Sequence, residues 1–390
     1  MLTGRSLEDP IRDDLRKKMV FLAGPRQVGK TSLAKRLMAV EASPVYLTWD
    51  RSEDRKRIRK PEWPAAPSLI VLDELHKFQG WKRWVKGEFD RYRDHHRFLV
   101  TGSARMDVFR RGGDSLQGRY HHYRLHPFSY REAEGMPLSV ARPGMALDFP
   151  SRARAGVVDA LMRFGGFPEP WLNGSERTLR RWQKERTERF FREDVRDLET
   201  VRDLTAIETL ADLVAERVSS PLSLNALRED LEVSHRALQH WLDVLDRLYH
   251  LFLVRPFAHR RVRSLKKMPK VYLWDHALLA SESARFENLV ASHLLKMCHT
   301  LEDCEGFSVE LSYLRDRDGR EVDFLVLADS KPWFAVEAKL SDATVDPSLR
   351  YFRDRLKIPF SFQVVRNGGR DVVRDGIRVL PASTFLAGIA

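Results

Sequence analysis

Residues 19–31, MVFLAGPRQVGKT, constrain this chain more than any other stretch. Five apolar residues, Met19 to Ala23, run directly into Gly24-Pro25-Arg26-Gln27-Val28-Gly29-Lys30-Thr31, and Ser32 to Met38 continue with helical spacing. A short apolar run bounded by glycine reads as a buried strand. A strand that turns through two glycines into a helix is the setting of a phosphate-binding loop. Gly24 and Gly29 let the backbone approach an anion without a Cβ in the way. The N–H groups of the loop and helix start, from Gly24 to Ser32, then point at phosphates. Lys30 adds a point charge for the β- and γ-phosphates, and the Thr31 hydroxyl is placed to ligate Mg2+. The expectation is a nucleoside triphosphate site, with ATP and Mg2+ as cofactors.

The strands that follow fit that site. Ser68-Leu-Ile-Val-Leu72 is fully apolar and ends in Asp73 and Glu74. In such a Walker B strand Asp73 holds the Mg2+ shell and Glu74 polarises the attacking water. Phe98-Leu-Val-Thr101-Gly102-Ser103 is a further buried strand ending in hydroxyls. It resembles the sensor 1 strand of AAA-type ATPases, with Thr101 and Ser103 both candidates for the contact to the γ-phosphate or the water. Strands are also expected at 44–49 and 121–125, and charged helices at 6–18, 51–60 and 81–96. This alternation predicts a parallel α/β sheet with its ligand at the strands' C-terminal ends.

At 390 residues, two or three domains are expected. Hydrophobic residues make up 43% and charged residues 31%, which is globular rather than disordered. No apolar run reaches the roughly 20 residues of a membrane span, and the charged N-terminus does not read as a secretory signal. Two cysteines, Cys298 and Cys304, cannot build a disulfide framework and fit a reducing cytoplasm. The net charge of +12 favours a polyanionic partner such as nucleic acid.

Residues 154–218 read as charged helices, a lid or connector whose arginine runs are solvated faces. From 205 to 275 a three-helix pattern precedes a hairpin. Ser223 caps a short helix, Glu232-Val233 is a tight turn, and Ser234 caps a longer helix. The hairpin segment 259–270, HRRVRSLKKMPK, carries six basic residues. This is the pattern of a winged helix. On duplex or branched DNA, His235, Arg236, Gln239 and His240 would face the major groove. Arg260, Arg261, Arg263, Lys266 and Lys267 would grip phosphates.

The last stretch carries a second constellation. A helix at 284–298 contains Glu287, and strands are expected at 307–314, 321–327 and 333–340. A helix at 349–356 and a strand at 360–365 complete an αβββαβ order. Asp323, followed after thirteen residues by Glu337-x-Lys339, is the PD-(D/E)XK nuclease pattern. Glu337 and Lys339 share a strand face, and the neighbouring strand brings Asp323 alongside. Carboxylates of Asp323, Glu337 and Glu287 suit Mg2+, and Lys339 would orient the attacking water.

The set GPRQVGKT, LIVLDEL, LVTGSAR, LQGRYHHYRLHPFSYREA and GGFPEP resembles, over essentially the whole chain, a group of prokaryotic AAA-type ATPases. Their C-terminal domain has a nuclease-like fold. The resemblance implies an ATPase core, a winged-helix region and a restriction-endonuclease-like tail. The resulting layout is an ATPase domain at 1–150, a helical connector at 151–204, a winged helix at 205–278 and a nuclease-like domain at 279–390. A homo-oligomer, up to a hexameric ring, would place an arginine finger in the neighbour's site. Arg119 is the first candidate, and Arg105, Arg110 and Arg111 are alternatives. The expected activity is ATP-driven DNA processing, with a Mg2+-dependent nuclease site as a further element. The rival is a nucleotide-dependent switch that uses the same modules to bind partners.

Overall fold

Met19 to Ala23 form a strand because all five side chains are buried on both faces of a sheet, where alternation with polar residues has no place. The computed structural model describes residues 4–103, 116–196, 204–258, 268–341 and 344–389. The chain divides into two units at His126/Pro127.

In the first unit the order is α1 (Glu8–Asp14), β1 (Met19–Ala23), α2 (Lys30–Met38), β2 (Val45–Thr48) and α3 (Ser52–Arg59). Then come β3 (Ser68–Asp73), α4 (Trp81–Tyr92), β4 (His96–Gly102) and β5 (Tyr120–Arg124). The strands form one parallel sheet in the order β2-β3-β4-β1-β5. Inserting β4 between β1 and β3 is what matters for the site. It sets Ala23 beside Gly102, and Leu72 beside Val100, so the ends of three strands converge.

The second unit begins with α5 (Tyr130–Ala133), α6 (Ala155–Phe164), α7 (Pro168–Asn173) and α8 (Glu176–Arg189). Next are α9 (Leu204–Glu216), α10 (Leu224–Leu231), α11 (His235–Arg247), β6 (Leu251–Pro256) and β7 (Lys270–Leu273). It closes with α12 (Glu282–Glu305), β8 (Val309–Arg315), β9 (Glu321–Ala328), β10 (Lys331–Ser341), α13 (Pro347–Leu356), β11 (Phe360–Asn367), β12 (Val372–Arg374), β13 (Ile377–Pro381) and α14 (Ala382–Gly388). The turn between α10 and α11 is made at Glu232 in the left-handed region (φ 53), and Ser223 and Ser234 cap the two helices. The arginines of α8 are mostly exposed; Arg186 instead lies over the rings of Phe167 and Trp182.

Two features differ from the layout drawn from sequence. The β6–β7 hairpin is not a separate module. It continues into one eight-stranded sheet, β12-β13-β11-β10-β9-β8-β6-β7, through parallel pairing of Arg255 with Ser312 and Pro256 with Tyr313. Residues 127–150, expected with the ATPase domain, pack instead into the second unit. There the Phe128 N–H donates to the Gly166 carbonyl at 2.7 Å, and Trp333 Nε1 donates to the Met145 carbonyl at 2.7 Å.

The Ser129–Glu132 capping box at the start of α5 is locked onto α12. Lys296 of α12 donates to Ser129 Oγ at 3.1 Å and pairs with Glu132, with both charged side chains buried. The Tyr130 N–H donates to His293 Nε2 at 2.8 Å, so the ring proton sits on Nδ1 and donates to the Leu289 carbonyl at 2.8 Å. Burial, reinforced by the Lys296 charge, holds His293 down to about 3. Its folded value lies below its unfolded one, so this contribution is complete above pH 6.5 and is lost as pH falls toward 3. Acid-unfolding curves should steepen by about 1.4 kcal/mol per pH unit across that window from this group alone. His293→Gln, which keeps an acceptor for Tyr130, should remove that slope; an unchanged curve would contradict the assignment.

Candidate functional site

The glycine loop takes the backbone that its sequence calls for. Gly29 has φ 102 and Gln27 has φ 64, and a Cβ at Gly24 would come within 2.5 Å of the Leu125 carbonyl oxygen. Leucine 125 follows β5, which lies against β1, so the loop closes against its own neighbouring strand. Lys30 is buried, and its Nζ donates to the carbonyls of Gly24 and Pro25 at 2.9 and 2.8 Å. Its charge is thereby held over the loop through which phosphates would bind.

The three strand ends converge on Asp73. Thr31 Oγ1 donates to Asp73 Oδ2 at 3.0 Å, and Thr101 donates to Asp73 Oδ1. The Tyr46 hydroxyl from β2 also donates to Asp73 Oδ2. Burial and the Asp73 carboxylate push the Tyr46 hydroxyl well above its ordinary value, keeping it a neutral donor at any working pH. Thr31 and Asp73 offer hard oxygen donors, and Mg2+ in such sites is held by one or two carboxylates together with phosphate oxygens. The donor set fits the ion.

Glu74, next to Asp73, has left-handed backbone (φ 55), a conformation that costs a residue with a Cβ about 1–2 kcal/mol. Such strain concentrates at functional positions. The turn carries its carboxylate toward β4, where Ser103 Oγ donates to Glu74 Oε2 at 3.0 Å. Lys77 Nζ and His76 Nε2 both stand 3.8 Å from the same oxygen. Burial lowers His76, so it meets Glu74 as a neutral ring. The choice between Thr101 and Ser103 becomes a division of labour: Thr101 holds Asp73 and Ser103 holds Glu74. Sequence reasoning missed Tyr46, the second residue of β2, because nothing local announces its bond to Asp73.

Arg119 sits at the other end of the sheet. Its carbonyl accepts from the Met19 N–H at the start of β1, a strand length of roughly 15 Å from the glycine loop. Its guanidinium pairs with Asp90 of α4 at 2.7 Å. It does not reach its own chain's glycine loop. Arg105, Arg110 and Arg111 lie outside the described residues.

In the second unit His235, Arg236, Gln239 and His240 are exposed at the start of α11. Arg260, Arg261, Arg263, Lys266 and Lys267 fall outside the described residues. Lys270, the sixth basic residue of that segment, is not on the surface at all: it is 1% exposed and points inward.

Around Lys270 lies the second constellation. Its Nζ is 3.2 Å from Glu287, 2.8 Å from Glu321 and 3.1 Å from Asp323. The Tyr272 hydroxyl donates to Glu287 at 2.7 Å. Asp323 Oδ2 accepts from the Ala338 N–H at 3.0 Å, and Glu337 Oε2 accepts from the Asp323 N–H at 3.2 Å. Lys339 bridges Glu337 at 2.7 Å and Asp346 at 3.0 Å. Asp323, Glu337, Lys339 and Glu287 are therefore brought together, but Lys270, Glu321, Tyr272 and Asp346 share the cluster. Burial and the Asp323 charge push Glu287 up to about 7 and Glu337 well above the usual carboxylate range. Burial would lower Lys270, but the three carboxylates outweigh it and hold it raised. Among the described residues no group of three or more His, Cys, Asp or Glu is arranged to hold a metal ion. None of the described helices is long and apolar enough to cross a membrane.

Residues 16–134 match the family described as an AAA domain. The parallel α/β sheet of the first unit resembles a P-loop ATPase core. Beyond it, residues 157–288 and 282–385 each match a family described as a domain of unknown function. An uncharacterized protein of Methanocaldococcus jannaschii, MJ1544, is 22% identical over 302 residues, which cover 74% of this chain and 65% of that protein. An uncharacterized protein of Mycobacterium tuberculosis, Rv2008c, is 22% identical over 383 residues, 95% of this chain and 81% of that protein. Among solved structures, the Walker-type ATPase PABY2304 of Pyrococcus abyssi is 12% identical with a TM-score of 0.43, covering 73% of this chain and 96% of that one. A RuvB variant of Thermotoga maritima is 15% identical with a TM-score of 0.30, covering 64% and 89%.

Proposed function

We propose that this chain is a Mg2+-dependent ATPase that acts on DNA. The observation that carries the ATPase reading is the convergence of Lys30, Thr31, Asp73, Glu74, Thr101 and Ser103 at the C-terminal ends of the parallel strands. In this reading Lys30 and the loop N–H groups, from Gly24 to Ser32, cradle the phosphates. Thr31 and Asp73 hold the Mg2+, and Glu74, oriented by Ser103, accepts the proton of the attacking water. The ion itself would neutralise charge developing on the phosphates. Arg119 belongs to the reading only as a finger offered to a neighbouring copy, which its distance from its own glycine loop supports. A homo-oligomer, closed as a ring, is part of the same proposal, as is a cytoplasmic setting.

The DNA reading rests on the exposed start of α11 after a tight turn and on the chain's charge of +12. The functional division carried forward is a motor in the first unit and a winged-helix reader, residues 205–278, joined by one sheet to the nuclease-like residues 279–390. ATPase rate measured with and without single-stranded, duplex, forked and four-way DNA tests it. Stimulation by one of these supports the reading, and indifference to all of them favours the nucleotide-dependent switch. Binding gives a second measurement. Neutralising Arg260, Arg261, Arg263, Lys266 and Lys267 together should weaken DNA affinity and flatten its salt dependence by about 0.9 log units per lost phosphate contact. An unchanged slope would put the DNA surface elsewhere.

A further inference from the structure

The PD-(D/E)XK pattern calls for a divalent cation among Glu287, Asp323 and Glu337, and the residues present do not fit one. Mg2+ takes oxygen ligands at about 2.0–2.1 Å in near-octahedral geometry. Two of these three, Glu287 and Asp323, instead face the Lys270 ammonium, and Glu337 faces that of Lys339. An ammonium has three N–H donors, and Lys270 finds three carboxylate oxygens within 2.8–3.2 Å, one each from Glu287, Glu321 and Asp323. The other oxygens of Asp323 and Glu337 are also engaged: Asp323 Oδ2 and Glu337 Oε2 by backbone N–H groups, and Glu337 Oε1 by Lys339.

We infer that Lys270 is the resident cation of this cluster, standing in the place of a divalent metal ion. The lysine is fixed rather than visiting. It opens β7, pairs across the hairpin with Val254, bridges to Pro221, and its side chain is almost wholly removed from solvent. Burying these carboxylates without a cation is costly, and a lysine carried in from the hairpin supplies that cation from within the chain. Lys270, at the start of β7, thus holds carboxylates of the eight-stranded sheet from within the chain. The cluster then holds no divalent ion with which to cut. The inference is independent of the DNA reading, because it concerns only the Lys270 cluster within the second unit.

The test uses nucleotide-free full-length protein and Mn2+, followed by electron paramagnetic resonance titration and by thermal melting against EDTA. Asp323→Asn separates this cluster from the Thr31–Asp73 site. The expected result is that wild type takes up no Mn2+ sensitive to Asp323→Asn. Lys270→Ala should gain such a site, with an upward shift in melting temperature on adding Mn2+ that Lys270→Ala/Asp323→Asn loses. Lys270→Gln, closer in volume and able to hydrogen-bond, is read the same way if the alanine variant does not fold. Mn2+ uptake by wild type that Asp323→Asn abolishes overturns the inference whatever the variants do. So does a folded Lys270 variant that gains no site.

Discussion

Glu74→Gln should bind ATP as wild type does and hydrolyse it roughly 100- to 10,000-fold more slowly, the usual contribution of a positioned general base. The carboxamide has nearly the same size and still accepts the Ser103 hydroxyl bond, so geometry around it is kept. What it loses is the capacity to take a proton. The left-handed backbone at Glu74 sharpens the expectation. A strained turn that delivers one carboxylate to one place serves that carboxylate's chemistry, not the packing of the sheet. Lys30→Ala is the companion: it removes the charge held over Gly24 and Pro25, and nucleotide binding should be lost with it. Fluorescent-nucleotide binding and phosphate release, measured on both variants, separate the two roles. Wild-type turnover by Glu74→Gln would show that another group accepts the proton.

Lys296→Met should be the most destabilising single change in the second unit. It strands Glu132, 2% exposed and tied into the capping box of α5, without its counter-charge. Leaving a buried carboxylate unpaired costs about 3–5 kcal/mol, which corresponds to a melting-temperature drop of roughly 6–20 °C for a unit of this size. The double substitution Lys296→Met/Glu132→Leu should recover most of the loss, because removing both charges is often close to neutral. A single-variant loss below about 1 kcal/mol would mean the pair is solvated in solution.

Much of the candidate site was legible because its signals are local. Gly24 and Gly29 report a backbone path, Met19–Ala23 and Ser68–Leu72 report burial on both faces, and Asp73 and Glu74 sit at the end of such a run. Ser223 and Ser234 likewise mark helix starts within three residues of themselves. Chemistry that acts within a turn or a strand leaves its trace in a short window of sequence.

What the tertiary structure alone decided is which distant charges meet. Lys270 reads, among Arg260 to Lys267, as one more basic residue of a hairpin; its partner Asp323 lies 53 positions away. Lys296 and Glu132 are separated by 164 positions, and nothing next to either announces the other. Ser103 and Glu74, and Tyr46 and Asp73, meet only because β4 lies beside β3 and β2 on its other side. A side chain's neighbours along the chain set its backbone. Its charge balance is set by whatever the sheet order and helix packing bring within a few ångströms, and that depends on the whole fold.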